Sequence, residues 1–339
     1  MRLAVLILTL FSSLARASDS LSPLTREEIS RGWLLAFDGE STFGWKWEGS
    51  LEVKDGNLIF GGTQKTEAFS TLKLTKAKAV LVFSLEGPGI PSLTVGGKQI
   101  KLVAHKGMQR LELEINPTGD SLEPIVELNV PAGSQIVFSK IACIPMGGIS
   151  LFNGKDLNGW KPFRGEKYKS VYSVRPEGWL NVKNGPGDLQ TDRKFDNFVL
   201  QLECFSKGKA LNSGIFFRCI ADQYQNGYEM QIHNGYKEND RTKPTDFGTG
   251  AIYRRIPVRK VVSNDFEWFA MTLVAEGRHL RTFVNGYPVV DWTDDRKPND
   301  NPRQGSKTAS GHISIQGHDP TTDLNFRNLR ILELPKTKE

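Results

Sequence analysis

The sequence predicts an all-β protein built from two related β-sandwich units of the jelly-roll kind, the C-terminal one complete. Three observations predict it. Apolar and polar residues alternate with period two over many short segments, which marks antiparallel sheets with one face in a core. The 339 residues include 33 Gly and 17 Pro, enough punctuation for many turns between short strands. One opening pattern also occurs twice: Phe37-Asp38-Gly39, then Gly44-Trp45-Lys46, and again Phe152-Asn153-Gly154, then Gly159-Trp160-Lys161. Two copies point to a duplication, whereas a solenoid needs more repeats.

Taken in order, the chain starts with Arg2, an apolar run from Leu3 to Phe11, and Ala15-Arg16-Ala17. This is the pattern of a secretory signal peptide, so residues 1–17 are expected to be removed and the protein exported to the periplasm or beyond the cell. The run is too short to span a bilayer, and no later segment reads as a membrane span. Thr25 to Trp33 is the one helix candidate, with Glu27 and Glu28 in its first turn. Residues 19–147 are expected to form the first sandwich-like domain and residues 148–335 the second, joined near Pro145-Met146-Gly147-Gly148. Asp55-Gly56, Asn184-Gly185 and Asn285-Gly286 are hairpin-turn signals. The last should join a strand at 279–284 to one at 288–292. Within the second domain, strands are expected at 198–205, 213–219, 227–233 and 311–317. The polar stretches 234–249 and 293–310 are long for a compact sandwich, and loops of that length are usually functional or disordered.

Composition excludes several classes. The excess of Lys and Arg over Asp and Glu, 44 against 38, is mixed with acidic residues along the C-terminal part. No basic tract marks a nucleic-acid arm. Three cysteines, Cys143, Cys204 and Cys219, cannot form a disulfide scaffold and make a structural zinc site unpromising. At least one is expected to stay free and buried. The oligomeric state is not legible.

The informative feature is the set of polar residues on the non-core parity of the strands: Glu203, Arg218, Glu229, Gln231, His233, His312, Ser314 and Gln316. They mix acid, base, amide and imidazole. Phe216 and Tyr253 are large aromatics on the same parity, which suits a sugar-binding surface. The bland alternatives are an ordinary wet sheet face and a cross-strand ion pair between Arg218 and Glu229. Asn153-Gly154 and Gly159-Trp160 read as structural, with Trp160 in the core.

The stretches Leu151 to Trp160, Asn212 to Arg218, Gly227 to Ile232, Thr249 to Tyr253, Gly311 to His318 and Phe326 to Asn328 resemble the 3-keto-disaccharide hydrolase family over residues 148–334. The family fold is a concanavalin-like jelly roll. The resemblance implies a substrate oxidised at sugar carbon 3, and it brings Asn212 and His318 into the expected site. The N-terminal unit keeps only the opening pattern, with no Asn-Ser-Gly-Ile or Gly-Tyr-Glu, so it is expected to be non-catalytic. A C3 ketone acidifies the hydrogen on C2. A base removes it, an enolate forms, the C1 group departs, and water adds to the enone. The site therefore needs a base, an enolate stabiliser and an acid. The expected assignments are Glu229 or Glu203 as base, Arg218 or a bound divalent ion for the enolate, and His233 or His318 as acid. Asn212, Phe216, Gln231, Tyr253, His312, Gln316 and His318 would bind the sugar. Four strand residues separate the Cα atoms of Glu229 and His233 by about 13 Å, too far for joint metal ligation. A metal ion would need cross-strand ligands, such as Gln231 or His233 with a residue of 311–318. The alternatives to an enzyme are a carbohydrate-binding module and an envelope interaction subunit.

Overall fold

The computed structural model describes residues 22–103, 105–116 and 121–336. The expected signal peptide lies outside them. Almost everything described is strand or turn, with one short helix, Arg26–Arg31. No helix among the described residues is long and apolar enough to cross a membrane. The chain divides into two compact units. Residues 33–146 form the body of the first, and 147 onward form the second, which also takes in residues 26–32.

Each unit is built on a pair of antiparallel sheets, and the first adds a two-stranded one, Lys73–Leu74 with Glu123–Pro124. In the first, the larger sheet runs Gln109–Ile115, Ala77–Glu86, Ser134–Pro145, Asn57–Gly62, Leu51–Lys54. The smaller runs Trp45–Glu48, Thr66–Ser70, Glu127–Val130, Ser92–Val95, Lys98–Ile100. In the second, the larger sheet runs Val171–Val174, Leu180–Lys183, Asp323–Leu334, Asn197–Ser206, Trp268–Glu276, His279–Val284, Tyr287–Thr293. Its smaller sheet runs Trp160–Pro162, Gly187–Thr191, His312–Gly317, Ser213–Cys219, Tyr228–Ile232. The paired sheets of the two units share one strand order, and the second adds the hairpin 279–293 to its large sheet. The duplication legible in the opening motif therefore extends through both sandwiches.

The repeated opening does the same work twice. Asp38 Oδ1 accepts the backbone N–H groups of Glu40 and Ser41 at 2.8 and 2.7 Å. Asn153 Oδ1 accepts those of Lys155 and Asp156 at 2.8 and 3.0 Å. These are side-chain-stabilised turns. Trp45 and Trp160 are buried, and each indole N–H donates to the carbonyl nine residues earlier, Ala36 at 2.8 Å and Leu151 at 2.7 Å. The cores close between the sheets, Trp45 on Phe60 in the first unit and Phe198 on Phe217 in the second. Full burial of such a ring is worth about 1.5–3 kcal/mol.

Asn285-Gly286 turns the expected hairpin, with φ of 51° and 73°, the paired positive values of a type I′ turn. Asn184-Gly185 does not. It leads the chain from Leu180–Lys183 in the large sheet to Gly187–Thr191 in the small one. All three cysteines are free and buried. The polar parity of 198–205 is also not a wet face. Gln201 is buried and its amide donates to Gly32 O at 2.9 Å, at the end of the short helix.

Candidate functional site

The small sheet of the second unit sets its polar parity in two rows. The register Gln190–Ser314–Phe216–Glu229 forms one row, and Asp188–Gln316–Gly214–Gln231 forms the other. The opposite parity, Leu189, Ile315, Ile215 and Met230, is fully buried in the core. Residues 250–253 continue the sheet beyond Tyr228–Ile232: Gln231 N–H donates to Ala251 O and Tyr253 N–H to Glu229 O. Tyr253 thereby stands beside Glu229 at the half-exposed rim, edge-on to Phe247.

Both long loops reach this face. The 293–310 segment is ordered by Asp294, which accepts Tyr228 Oη at 2.6 Å and Arg296 on both carboxylate oxygens. Arg296 also donates to Pro302 O and Gly305 O. That scaffold delivers Arg303, whose Nη2 donates to Glu229 Oε2 at 3.0 Å and whose Nε donates to Gln225 O at 2.8 Å. The guanidinium lies 5.2 Å from the Phe216 ring centre. The 234–249 segment delivers Asp246. Its Oδ2 accepts Gln231 Nε2 at 2.8 Å and Asn212 Nδ2 at 2.9 Å.

Electrostatics follow from burial. Glu229 is pushed up to about 7, chiefly because burial penalises its charged form. Arg303 pulls it down, and the charges of Asp188 and Asp246 push it up. Asp188 is also pushed up to about 7, again by burial, with the Gln225 N–H, the Ser314 hydroxyl and Arg303 acting against the shift. Asp188 Oδ1, Gln231 Oε1, Ser314 Oγ and both amide atoms of Gln316 are buried without a hydrogen-bond partner of good geometry among the described residues, although the Ser314 hydroxyl acts on Asp188 and the Gln316 amide on Tyr224. Buried polar atoms are normally satisfied, so these atoms have hydrogen-bonding capacity left over.

Several expected residues sit together here: Glu229, Gln231, Asn212, Phe216, Tyr253 and Gln316. His233 follows the strand on the same parity, its Nδ1 accepting Gly235 N–H at 3.2 Å. His312 begins its strand with Nδ1 against Thr191 O at 2.7 Å and Nε2 buried without a partner among the described residues. His318 lies past the end of that strand, with Nδ1 2.8 Å from Asp319 Oδ2. Phe216 is fully buried beneath Arg303, so it is a floor and not an open stacking platform.

Two expected residues lie elsewhere. Glu203 is on the large sheet, held by Arg327 through two 3.0 Å bonds and by Asn328. It is not brought to Glu229. Arg218 leaves the polar parity because the strand bulges between Phe216 and Cys219, where Arg218 takes φ 51°. Its guanidinium is buried and donates to Gly277 O and Lys307 O, both at 2.7 Å, and to Asn197 Oδ1 at 3.2 Å. The alternative of an Arg218–Glu229 ion pair does not form, and Arg303 pairs with Glu229 instead. Among the described residues no group of three or more His, Cys, Asp or Glu is placed to hold a metal ion. Gln231, expected as a cross-strand ligand, is taken up by Asp246 and Asn212.

Sequence reasoning missed Asp188, Arg303 and Asp246. The alternation Asp188-Leu189-Gln190 carried a signal for the first. Arg303 and Asp246 come from irregular loops, where periodicity says nothing.

Gly214 explains part of the Asn-Ser-Gly motif. A Cβ there would stand 2.6 Å from Glu229 Oε1 and 2.7 Å from its Cγ. Gly214→Ala should displace Glu229 bodily while the fold survives. If Glu229 acts on substrate, kcat/KM should fall about a hundredfold, the scale of an ångström-sized misplacement. Steady-state rates beside a thermal melt would check this, and unchanged rates would show that the Glu229 position is not critical.

Among solved structures, the chain is similar to a Parabacteroides distasonis protein provisionally classed as a glycosyl hydrolase. It is 22% identical, covering 56% of this chain and 94% of that one, with a TM-score of 0.45. A second such protein from Parabacteroides distasonis is 26% identical, covering 52% and 99%, with a TM-score of 0.40. A carbohydrate-binding module from Bacillus subtilis is 15% identical, covering 50% and 93%, with a TM-score of 0.36. No curated protein matches the sequence. The profile of the 3-keto-alpha-glucoside-1,2-lyase-like domain matches residues 147–332, the whole small sheet and both loops included. This chain belongs to the 3-keto-alpha-glucoside-1,2-lyase-like domain family.

Proposed function

We propose that the second unit cleaves 3-keto-glycosides by elimination, followed by hydration of the enone. Membership of the family supports a carbohydrate-active enzyme. The observation that carries the finer reading is Glu229: a buried carboxylate pushed up to about 7, beside a guanidinium and buried polar atoms with hydrogen-bonding capacity left over. A base poised near neutral pH is what C2 deprotonation requires. Arg303 takes the role that the sequence offered to Arg218. Its fixed positive charge at Glu229 is suited to the enolate that forms when Glu229 accepts the proton. Gln231, Ser314 and Gln316 would take sugar hydroxyls.

Asp188 is 1% exposed and Glu229 4%. Gln225 of segment 221–226 bonds Asp188 and Arg303 of segment 293–310 bonds Glu229, so the proposal includes movement of these segments to admit the sugar. The first unit does not repeat this site. Matching the two small sheets strand by strand puts Gln99 where Glu229 stands and Thr94 where Phe216 stands. A glutamine cannot act as the base, which supports a non-catalytic role for that unit. Export is part of the proposal and rests on Arg2, the apolar run and Ala15-Arg16-Ala17.

The test is incubation of the full chain with a 3-keto disaccharide and with its unoxidised parent. The oxidised sugar should be split and the parent left intact. Equal cleavage of both would overturn the elimination, and sugar binding without turnover would favour a binding module.

A further inference from the structure

We propose that Asp188 is the group that protonates the departing glycosidic oxygen and later activates the water that replaces it. The inference rests on the reading of Glu229 as the C2 base. Asp188 stands in the middle of Gly187–Thr191 and shares a row with Gln316, Gly214 and Gln231. Its Cα is three interstrand steps from that of Glu229, about 14 Å across the sheet, and one row, about 7 Å, along it. The two carboxyl groups therefore stand on either side of Gln316 and Gln231, where Gln231 Oε1 and the Gln316 amide lack partners of good geometry among the described residues, and they sense each other electrostatically. A sugar lying on that row would present C2 to one wall and its C1 oxygen to the other.

The environment separates the two roles. Glu229 has an ion-pair partner, Arg303 at 3.0 Å, which favours its charged form. Asp188 has none. Its Oδ2 accepts Gln225 N–H at 3.1 Å, and the Ser314 hydroxyl also acts on the carboxyl, though Oδ1 has no partner of good geometry among the described residues. The ionisable groups that act on it or feel its charge are Tyr172, Tyr224, Cys219, Glu229 and Arg303. Only Arg303 is cationic, and it is engaged with Glu229. Burial therefore holds Asp188 protonated to higher pH than an ordinary aspartate, and a carboxyl kept neutral near pH 7 can donate.

The steps balance. The C2 proton passes to the Glu229 carboxylate and its electron pair forms the C3 enolate. The enolate reforms the ketone, the C1=C2 bond forms, and the C1–O bond breaks. The Asp188 proton goes to the leaving oxygen. In hydration, Asp188 takes a proton from water as the oxygen bonds to C1, and Glu229 returns its proton to C2. Both carboxyl groups end as they began, and one water is consumed.

Full-length Asp188→Asn and the parent are compared on a 3-keto disaccharide and on a 4-nitrophenyl 3-keto-glucoside. The nitrophenolate needs no proton to depart. The variant should lose about a hundredfold or more on the disaccharide and little on the nitrophenyl substrate. The parent should lose activity at high pH on the disaccharide only, a readout that stands even if the variant fails to fold. Equal losses on both substrates, no loss on either, or the same alkaline limb for both would overturn the role of Asp188. A parent that cleaves neither substrate overturns the Glu229 reading together with it, whereas an active parent with equal losses in the variant removes Asp188 alone.

Discussion

Glu229→Gln is expected to lower turnover of a 3-keto-glycoside by about a hundredfold or more, with the fold intact. Gln keeps the shape, and its carbonyl can still accept from Arg303. What disappears is the proton acceptor. The stability change has a definite sign. Burial raises Glu229 from 4.5 to about 7 in the folded protein. Its stabilising contribution is therefore full below 4.5 and is lost as pH rises through about 7. At pH 8 the folded protein carries a buried charge that Gln removes. The variant should then melt above the parent, by a free energy on the order of 3 kcal/mol at most, and the gap should close as pH falls toward 4.5. Activity runs the other way, since the base works only when ionised and the parent rate should fall as pH drops below about 7. Because Asp188 and Glu229 interact, the limbs of the pH profile belong to the pair and not to one residue. Thermal melts at two pH values and kcat at the same values would check both halves. Unchanged kcat removes Glu229 from the mechanism and moves the base role to Asp188, the other buried carboxylate on this face.

The sequence made some of this legible and hid the rest for identifiable reasons. Period two was strong wherever one parity is core, so the strands carrying Glu229, Gln231, Ser314 and Gln316 were found together with their faces. The turn chemistry was legible at Asn285-Gly286 because a two-residue turn joins strands of one sheet. The same dipeptide at 184–185 joins strands of different sheets, and nothing local distinguishes the two. Parity alone also does not tell which sheet a strand enters. Glu203 has the right parity on the wrong sheet, and Arg327 and Asn328, more than 120 residues away, decide its fate. Arg303 needed the fold, because its place depends on the Asp294–Arg296 scaffold within an irregular loop.

Arg218 gives the other large effect, and it falls on the fold. Parity carried it to the polar face of the small sheet until the bulge at 216–219 turned it inward. There its guanidinium spans the Asn197 and Gly277 ends of the large sheet and Lys307 of the loop that carries Arg303. Burial lowers its acidity range to about 10, with Tyr228, Asp196 and Asp294 acting to restore it, so it remains charged near neutral pH. Arg218→Met removes the charge and leaves these acceptors buried. Each unsatisfied acceptor costs about 1–3 kcal/mol, and loss of one partner from a buried charged network typically costs about 3–5 kcal/mol. Arg218→Lys should recover little, because one ammonium cannot reach acceptors spread around a planar fork. Two units can unfold separately, so chemical denaturation should be followed by near-ultraviolet dichroism on the full chain. The expected result is one transition moved to much lower denaturant and the other unmoved. Turnover at low temperature, where the variant is still folded, should survive better than in Glu229→Gln. An unchanged melt with turnover lost would instead return Arg218 to the chemistry, as the bare alternation of the strand had it.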